Sequence, residues 1–165
     1  MPGVEIRDAT DADLKGLSAL EERSFAADRM APRSFRRLIA RPSARIRVAV
    51  ETSASGRSGI LGYHLVLIRN GSSVARLYSI AVDTGKRGSG IGERLLADAE
   101  AVAAGARRRV IRLEVHERNR PAISLYERRG YRAIGRYPAY YADSADALRY
   151  EKLLDAGRLR KKRRT

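Results

Sequence analysis

The segment from Lys86 to Glu100, KRGSGIGERLLADAE, places three glycines at alternating positions directly before a helical pattern. Glycines let backbone N–H groups turn inward and approach a ligand closely, and the following helix adds the positive end of its dipole. The segment therefore predicts a binding site for a pyrophosphate, with Lys86, Arg87 and Arg94 adding positive charge at its rim. Its backbone is supplied by Gly88, Ser89, Gly90, Ile91 and Gly92.

Two common phosphate loops are excluded by the same residues. Gly85-Lys86 is followed by Arg87 rather than by Ser or Thr, so the Walker A pattern is absent. The dinucleotide fingerprint G-x-G-x-x-G fails because the third glycine comes too early. The pattern that remains is R-x-x-G-x-G, formed by Arg87, Gly90 and Gly92. Taken alone, it is also compatible with a plain helix N-terminus behind a flexible loop.

The elements that must position this loop follow from hydrophobic periodicity and turn signals. Strands are predicted at Val4–Ala9, Arg45–Glu51, Ile60–Ile68, Val74–Val82, Val110–Val115, Tyr131–Tyr137 and Ala147–Leu154. Helices are predicted at Asp11–Phe25, capped by Thr10 or Asp11, at Ser34–Ala40, at Ile91–Ala104, and between Asn119-x-Pro121 and Gly130. The order β-α-α-β-β-β-α-β-α-β-β predicts an α/β fold with a mixed central sheet and helices on both faces.

Composition limits the possible partners. The 165 residues predict one domain, residues 1–155, followed by a basic tail, residues 156–165. The net charge of +15 favours an anionic partner such as a ribosome or nucleic acid, although a charged tail is also typical of a solvated, disordered run. The absence of cysteine removes disulfides, thiolate nucleophiles and Cys metal sites, and we predict no metal centre. We expect a cytoplasmic protein without a signal peptide or membrane span, either a monomer or a weak dimer.

A second cluster, LEVHERNRPAISLYERRGY, follows the loop about thirty residues later. The ordered pair resembles the GNAT superfamily of acetyl-CoA-dependent N-acetyltransferases, well over Val74–Leu153 and more loosely before that. The resemblance implies a mainly antiparallel sheet, acetyl-CoA as cofactor, and CoA pyrophosphate at the R-x-x-G-x-G loop. It also implies a second cofactor motif and a strand whose backbone holds the pantetheine arm. This sequence departs from the family pattern at Thr84, where the family often has proline. The residues implied are Asn119, Ala122, Leu125 and Tyr126 for the motif, and Ile80, Ala81 and Val82 for the strand.

Within the superfamily, LEV, N-x-x-A-x-x-LYE-x-x-G-Y and YYAD…DA resemble the protein N-terminal (α-amino) acetyltransferases, which include bacterial enzymes acting on ribosomal proteins. The resemblance implies that Tyr140-Tyr141 lines the peptide entrance on the last hairpin. It also implies that the loop from Phe25 to Pro32 forms the opposite wall, with Phe25 contributing to substrate binding.

The chemistry needs a neutral amine, a polarised thioester carbonyl and a proton for the leaving thiolate. An α-amine has a pKa of about 7.7–8.0 and a lysine of about 10.4, so roughly a tenth of α-amines are neutral at pH 7 against fewer than about one in a thousand lysines. Glu114, on the face of its strand opposite Leu113, is the candidate base, acting through an ordered water. Its alternative is a surface glutamate paired with Arg112 or Arg118.

Two tyrosines and two histidines complete the candidate set. Tyr126 is the candidate acid, better described as a hydrogen-bond donor to the departing sulfur, because a phenol with pKa near 10 is a weaker acid than a thiol near 8.5. Its alternative is a core tyrosine beside Leu125. Tyr78 is a candidate to hold the water, as in related enzymes. His116 can share the base role but is more typical of a structural residue, as is His64.

These residues predict direct attack of a protein N-terminal α-amine on acetyl-CoA in a ternary complex. A GNAT acting on a lysine or a small amine is the alternative enzyme. A ribosome- or nucleic-acid-binding module that uses the basic tail is the alternative of another class, and it disagrees with the intact Arg87, Gly90, Gly92, Asn119 and Tyr126.

Overall fold

The structure is a computed structural model that describes residues 3–52 and 59–154. Within these ranges the strands are β1 (Gly3–Asp8), β2 (Ala44–Thr52), β3 (Ile60–Leu67), β4 (Val74–Val82), β5 (Val110–His116), β6 (Arg132–Tyr137) and β7 (Ala147–Leu153). The helices are α1 (Leu14–Ser24), α2 (Pro32–Ile39), α3 (Ile91–Gly105) and α4 (Arg120–Arg128). The predicted order of elements is confirmed. The basic tail, residues 156–165, lies outside the described residues, so its predicted role stays a prediction.

One sheet contains all seven of these strands, in the order β1-β2-β3-β4-β5-β7-β6. Every pairing is antiparallel except that of β4 with β5, which is parallel. The prediction of a mixed, mainly antiparallel sheet is confirmed. The single parallel pair arises because α3 connects β4 to β5 as a crossover helix.

The helices cover the two faces of the sheet unequally. Helices α3 and α4 pack on one face, where Leu96, Ala99 and Tyr126 join Leu113 in one buried cluster. Helices α1 and α2 pack on the other face against β2, β3 and β4. Among the described residues no helix covers β5, β7 and β6 on that second face.

A β-bulge at Tyr78 changes which face the residues of β4 occupy. Leu65 pairs with Ser79 and Val66 with Leu77, so Tyr78 is the extra residue. Before the bulge Leu77 packs under α3, whereas after it Ala81 belongs to the cluster beneath α1 and α2. One extra residue reverses the alternation of side chains, as expected for a bulge.

The ends of the first two helices differ from their predictions. The helix predicted from Asp11 begins as a 3₁₀ turn, Asp11–Asp13, in which the Thr10 amide donates to Asp13 Oδ2 at 2.8 Å, and α1 starts only at Leu14. Helix α2 begins at Pro32 rather than Ser34, because proline suits a first helical position that needs no N–H partner. No helix of the described residues is long and apolar enough to cross a membrane.

Candidate active site

Strands β4 and β5 separate in the middle of the sheet. Their parallel pairing runs from Val74–Val110 to Leu77–Leu113, and no pairing joins them beyond that point within the described residues. From there β4 continues to Val82 bonded to β3, and β5 continues to His116 bonded to β7. The backbone of β4 that faces this opening is free to bind an extended ligand, and it includes the predicted Ile80, Ala81 and Val82.

The glycine loop leads directly from this opening into α3. Gly88 and Gly90 have φ of 81° and 87°, in the left-handed region that glycine adopts without a steric penalty, and Gly90 is the residue before the helix. The first amides of the helix, including those of Ile91 and Gly92, have no partner inside the helix. Arg87 is exposed and forms no ion pair among the described residues. Free amides and an unpaired cation are the groups that an anion-binding site needs.

Two details of the loop differ from the prediction or add to it. The Arg94 guanidinium does not stand at the rim of the loop, because its Nη2 donates to the Val4 carbonyl on β1 at 2.8 Å. The Ser89 hydroxyl donates to the Lys86 carbonyl and so stabilises the turn. Thr84 opens a 3₁₀ turn that Asp83 caps by accepting from the Gly85 amide at 3.2 Å.

Helix α4 carries the second cluster. Asn119 caps it, with Oδ1 accepting from the Ala122 amide at 3.3 Å, so this side chain is committed to the helix terminus. Tyr126 is 4% exposed and its ring lies 5.7 Å from that of Tyr131 and 6.5 Å from that of Tyr150. Burial, and then the nearby Tyr141, raise the pKa of Tyr126 above its ordinary value. The phenol is therefore neutral and can act as a hydrogen-bond donor, although it is a poor acid.

Glu114 lies on β5 at the start of the opening, on the face that carries no helix there. Its side chain is 14% exposed, and Oε2 accepts from Arg76 Nε at 3.2 Å. The alternative pairings fail, because Arg112 bonds Glu151 and Arg118 bonds Asp143. The sequence reasoning missed Arg76, since its contact with Glu114 depends on the parallel register of β4 and β5.

Three tyrosine side chains surround the Glu114–Arg76 pair. Tyr78 is exposed, and its ring lies 5.4 Å from the Arg76 guanidinium carbon. Tyr140 accepts a hydrogen bond from Arg76 Nη2 at 3.0 Å. Tyr141 lies edge-on to Tyr140 with ring centroids 5.0 Å apart, and burial raises the pKa of Tyr141 to about 12. The three predicted tyrosines thus lie together on one side of the opening.

His116 is committed to structure at both ring nitrogens. Its Nδ1 accepts from the Arg118 amide at 3.1 Å, so the proton belongs on Nε2, which donates to Asp143 at 2.8 Å. The ring also stacks on Tyr141 at 5.0 Å. No lone pair is left to accept a proton from a substrate, which argues against the shared base role.

The two predicted walls of the acceptor groove touch each other. Asp28, in the loop from Phe25 to Pro32, accepts from the Ala142 amide next to Tyr141 at 3.2 Å. Asp28 has a φ of 59°, which its short polar side chain tolerates. Phe25 is partly buried and packs into the cluster of α1 and α2, so it supports this wall more than it faces the opening.

A buried carboxylate that the sequence reasoning missed ties the same loop to β4. Glu21 is 3% exposed and accepts from the Met30 amide at 2.7 Å and from the Tyr63 hydroxyl at 2.8 Å. The Tyr63 hydroxyl also lies 2.8 Å from Ser79 Oγ on β4. A signal existed, because Glu21 interrupts the apolar stripe of α1 beside Leu20.

His64 lies away from the opening, beneath α3. It is fully buried, and Nε2 lies 2.7 Å from Asp98, which also binds Arg47 at 3.0 Å. The environment matches the prediction that His64 is structural.

The chemistry of the opening fits an acyl-CoA. Unpaired β4 backbone lies next to free amides at the start of α3, which suits an amide-rich arm followed by a pyrophosphate. A methyl group on Gly92 would lie 3.6 Å from Leu125 and 3.7 Å from Val82, so Gly92 lies where the two cofactor motifs and the end of β4 meet. That Ile80 to Val82, Arg87 to Gly92 and Ala122 hold such a group stays a prediction.

Comparison with known proteins agrees with this geometry. The model of the acetyltransferase (GNAT) family matches residues 14–131. The chain is 33% identical over 150 residues to the N-alpha-acetyltransferase RimI of Mycobacterium tuberculosis, a match that covers 87% of this chain and 89% of the relative. It is 44% identical over 73 residues to an uncharacterized protein of Mycobacterium leprae, covering 43% of this chain but only 19% of that longer protein. The fold matches a crystal structure of the ribosomal-protein-S18-alanine N-acetyltransferase from Escherichia coli, with a TM-score of 0.79, 21% identity, and coverage of 93% and 95% of the two chains.

Proposed function

This chain belongs to the acetyltransferase (GNAT) family, and we propose that it moves an acetyl group from acetyl-CoA to the free α-amine of a protein or peptide N-terminus. The observation that carries the proposal is the site of Glu114 at the opening between β4 and β5. This carboxylate lies where β4 and β5 begin to separate, next to the tyrosine-lined surface. The name and extent of the mycobacterial relative support an α-amine as the acceptor.

The proposed donor, acetyl-CoA, supplies the acetyl group as an activated thioester. The amides at the start of α3, together with Arg87, hold the pyrophosphate, and the backbone of Ile80–Val82 holds the arm. An amide of β4 that faces β5 can polarise the thioester carbonyl, since hydrogen-bond donors at a developing oxyanion lower the barrier.

Glu114 acts on the amine. Its Oε2 is held by Arg76, which leaves Oε1 without a partner among the described residues and able to accept a proton through a water. Tyr78, beside the same arginine, is placed to hold that water. Because about a tenth of α-amines are already neutral at pH 7, a carboxylate gives sufficient help for an N-terminus, whereas a lysine needs more.

Tyr126 acts at the other side of the reacting bond. Its raised pKa keeps the proton on the phenol oxygen, so the side chain donates a hydrogen bond to the departing sulfur rather than losing its proton completely. The tyrosines at positions 140 and 141 provide rings and hydroxyls for an extended peptide, with Phe25 supporting the facing wall.

The test is thiol release from acetyl-CoA over two peptide sets. One set has free N-termini beginning with Ala, Ser, Met or Glu and contains no lysine; the other is N-terminally blocked and contains one internal lysine. We expect turnover on the free set alone, and Glu114→Gln should lower it about 100-fold or more. Turnover confined to the blocked set would contradict the proposal and identify a lysine acetyltransferase.

A further inference from the structure

Arg76 presents hydrogen-bond donors that the described residues do not use. Its Nε and Nη2 bind Glu114 and Tyr140, but Nη1 has no partner among the described residues. The side chain is 40% exposed. Burial lowers and Glu114 raises the pKa of Arg76, with a net upward shift, so the guanidinium stays charged. A charged guanidinium with a free edge suits a carboxylate.

A second arginine extends this positive surface. Arg149 is the direct cross-strand partner of Glu114, so the two side chains share a face of the sheet. Its guanidinium carbon lies 4.5 Å above the Tyr137 ring, and its buried Nε has no hydrogen-bond partner among the described residues. No described carboxylate forms an ion pair with it. Two arginines thus flank Glu114, and its single negative charge offsets only part of their positive charge.

The tyrosines join the two arginines into one surface. Tyr140 accepts from Arg76, and its ring stacks on that of Tyr137 with centroids 5.7 Å apart, directly below Arg149. Tyr137 is 39% and Tyr140 is 45% exposed. We call these four residues, Arg76, Tyr140, Tyr137 and Arg149, the arginine–tyrosine surface. It begins at the candidate base and runs along the uncovered part of the sheet.

We infer that the arginine–tyrosine surface selects acceptor N-termini with an acidic side chain at the first or second residue, and that Arg76 is the specificity-determining residue. The inference rests on the proposed function and names its substrate class. The carboxylate of an acidic side chain would accept a hydrogen bond from Nη1 of Arg76, which has no partner among the described residues. A basic side chain there would face two guanidinium groups, and the one described carboxylate beside them, Glu114, already pairs with Arg76.

The position in the peptide follows from reach. An amine served by Glu114 through one water lies about 5–6 Å from that carboxylate, and Arg76 is in direct contact with it. One residue of extended chain spans about 3.3–3.6 Å. Side chains of the first two residues can therefore reach Arg76.

The experiment compares matched peptides with free N-termini and no lysine. The pairs are Ser-Asp against Ser-Asn and Asp-Ser against Asn-Ser, each followed by the same neutral sequence, with Ser-Arg as the basic member. For each peptide kcat/KM is measured at low and at high salt. The wild-type protein should favour the better acidic member about tenfold over its amide partner at low salt, and less at high salt.

Variants assign that preference to Arg76. Arg76→Gln should reduce the acid-to-amide ratio to about one, and Arg76→Lys should retain part of it. Arg76→Gln also removes the ion pair of Glu114, which can lower kcat/KM for every peptide. The acid-to-amide ratio is not affected by such a loss, because both members of a pair share it. Arg132→Gln is the matched control: this arginine is 71% exposed on β6 and bonds Glu151 at 3.2 Å, so the same change of charge should leave the ratio intact.

Each outcome separates this inference from the proposed function. Turnover of all free N-termini with an acid-to-amide ratio near one in the wild-type protein would overturn the inference and leave the α-amine proposal standing. A ratio that survives Arg76→Gln would overturn the role of Arg76. Turnover confined to blocked, lysine-containing peptides would remove the proposed function first. Loss of the preference in Arg76→Gln alone, with Arg132→Gln unchanged, supports the inference.

Discussion

Replacing Tyr126 with phenylalanine isolates the contribution of one hydroxyl group. The ring is 4% exposed and packs against Tyr131 and Tyr150, contacts that phenylalanine keeps. Among the described residues the hydroxyl has no hydrogen-bond partner that its removal would leave unsatisfied. The free energy of unfolding should therefore change by no more than about 0.5 kcal/mol. A hydrogen bond to a group that develops charge is worth about 1.5–3 kcal/mol, so kcat should fall about 10- to 150-fold.

Tyr150→Phe is the matched control, since Tyr150 neighbours Tyr126 but has a structural bond. Its hydroxyl donates to Glu127 at 2.9 Å. Losing that bond should cost about 1 kcal/mol of unfolding free energy, which corresponds to about 2–4 °C in melting temperature for a chain of this size. The value of kcat should stay within about twofold of the wild type.

The assay pairs thermal or urea unfolding with steady-state thiol release at saturating peptide, and acetyl-CoA affinity is measured separately. The two variants should give opposite results: lost turnover with intact stability for Tyr126→Phe, and lost stability with intact turnover for Tyr150→Phe. If Tyr126→Phe keeps wild-type kcat, the hydroxyl has no role at the sulfur, and Tyr126 is a core residue alone.

Three further predictions concern the loop, the wall and the pH dependence of stability. Gly90→Ala, at a φ of 87°, should raise the KM for acetyl-CoA about tenfold at a strain cost of about 1–2 kcal/mol; Gly71→Ala, at a φ of 78° in a distant turn, should cost similar stability without changing that KM. Asp28→Ala should raise the KM for peptide but not for acetyl-CoA, and Asp28→Asn should restore it by accepting from Ala142 again; equal effects on both substrates would contradict the assignment. Burial opposes ionisation of Asp98, but its hydrogen bonds and ion pairs with His64 and Arg47 prevail and lower its pKa to about 2. Its contribution to the free energy of unfolding, about 1–2 kcal/mol, is therefore complete above about pH 4 and is lost as the pH falls toward 2. Asp98→Asn should flatten urea-measured stability over that range, and an unchanged slope would refute this account.

The order of elements could be predicted because hydrophobic periodicity and turn residues act locally. Val74–Val82 was predicted to the residue, and Gly90 and Asn119 mark the helix starts at which the structure has them. The boundaries that failed are those where a local alternative competes. At Asp11 the capping interaction of Asp13 with Thr10 favours a 3₁₀ turn before the α-helix.

The partners of the candidate residues could not be predicted, because each depends on pairing between distant segments. Glu114 could be placed on the polar face of its strand, but its ion pair with Arg76 requires the register that aligns Leu77 with Leu113. The contact between Asp28 and Ala142 joins two loops whose approach depends on the whole sheet. Charge counting near each residue in sequence suggested Arg112 and Arg118, and both were wrong.

The bulge at Tyr78 explains why the site lies where it does. With regular alternation, Ile80 would share the face of Arg76, and Ala81 would lie beneath α3 instead of joining the cluster of α1 and α2. The extra residue leaves the Tyr78 ring beside Arg76 and sends Ile80 back under α3. It occurs one residue after the last pair that joins β4 to β5, so the change of face and the separation of the strands begin together. Periodicity in the sequence cannot specify a bulge, because an apolar strand such as LYSIAV packs acceptably in either register; the burial of both faces decides it.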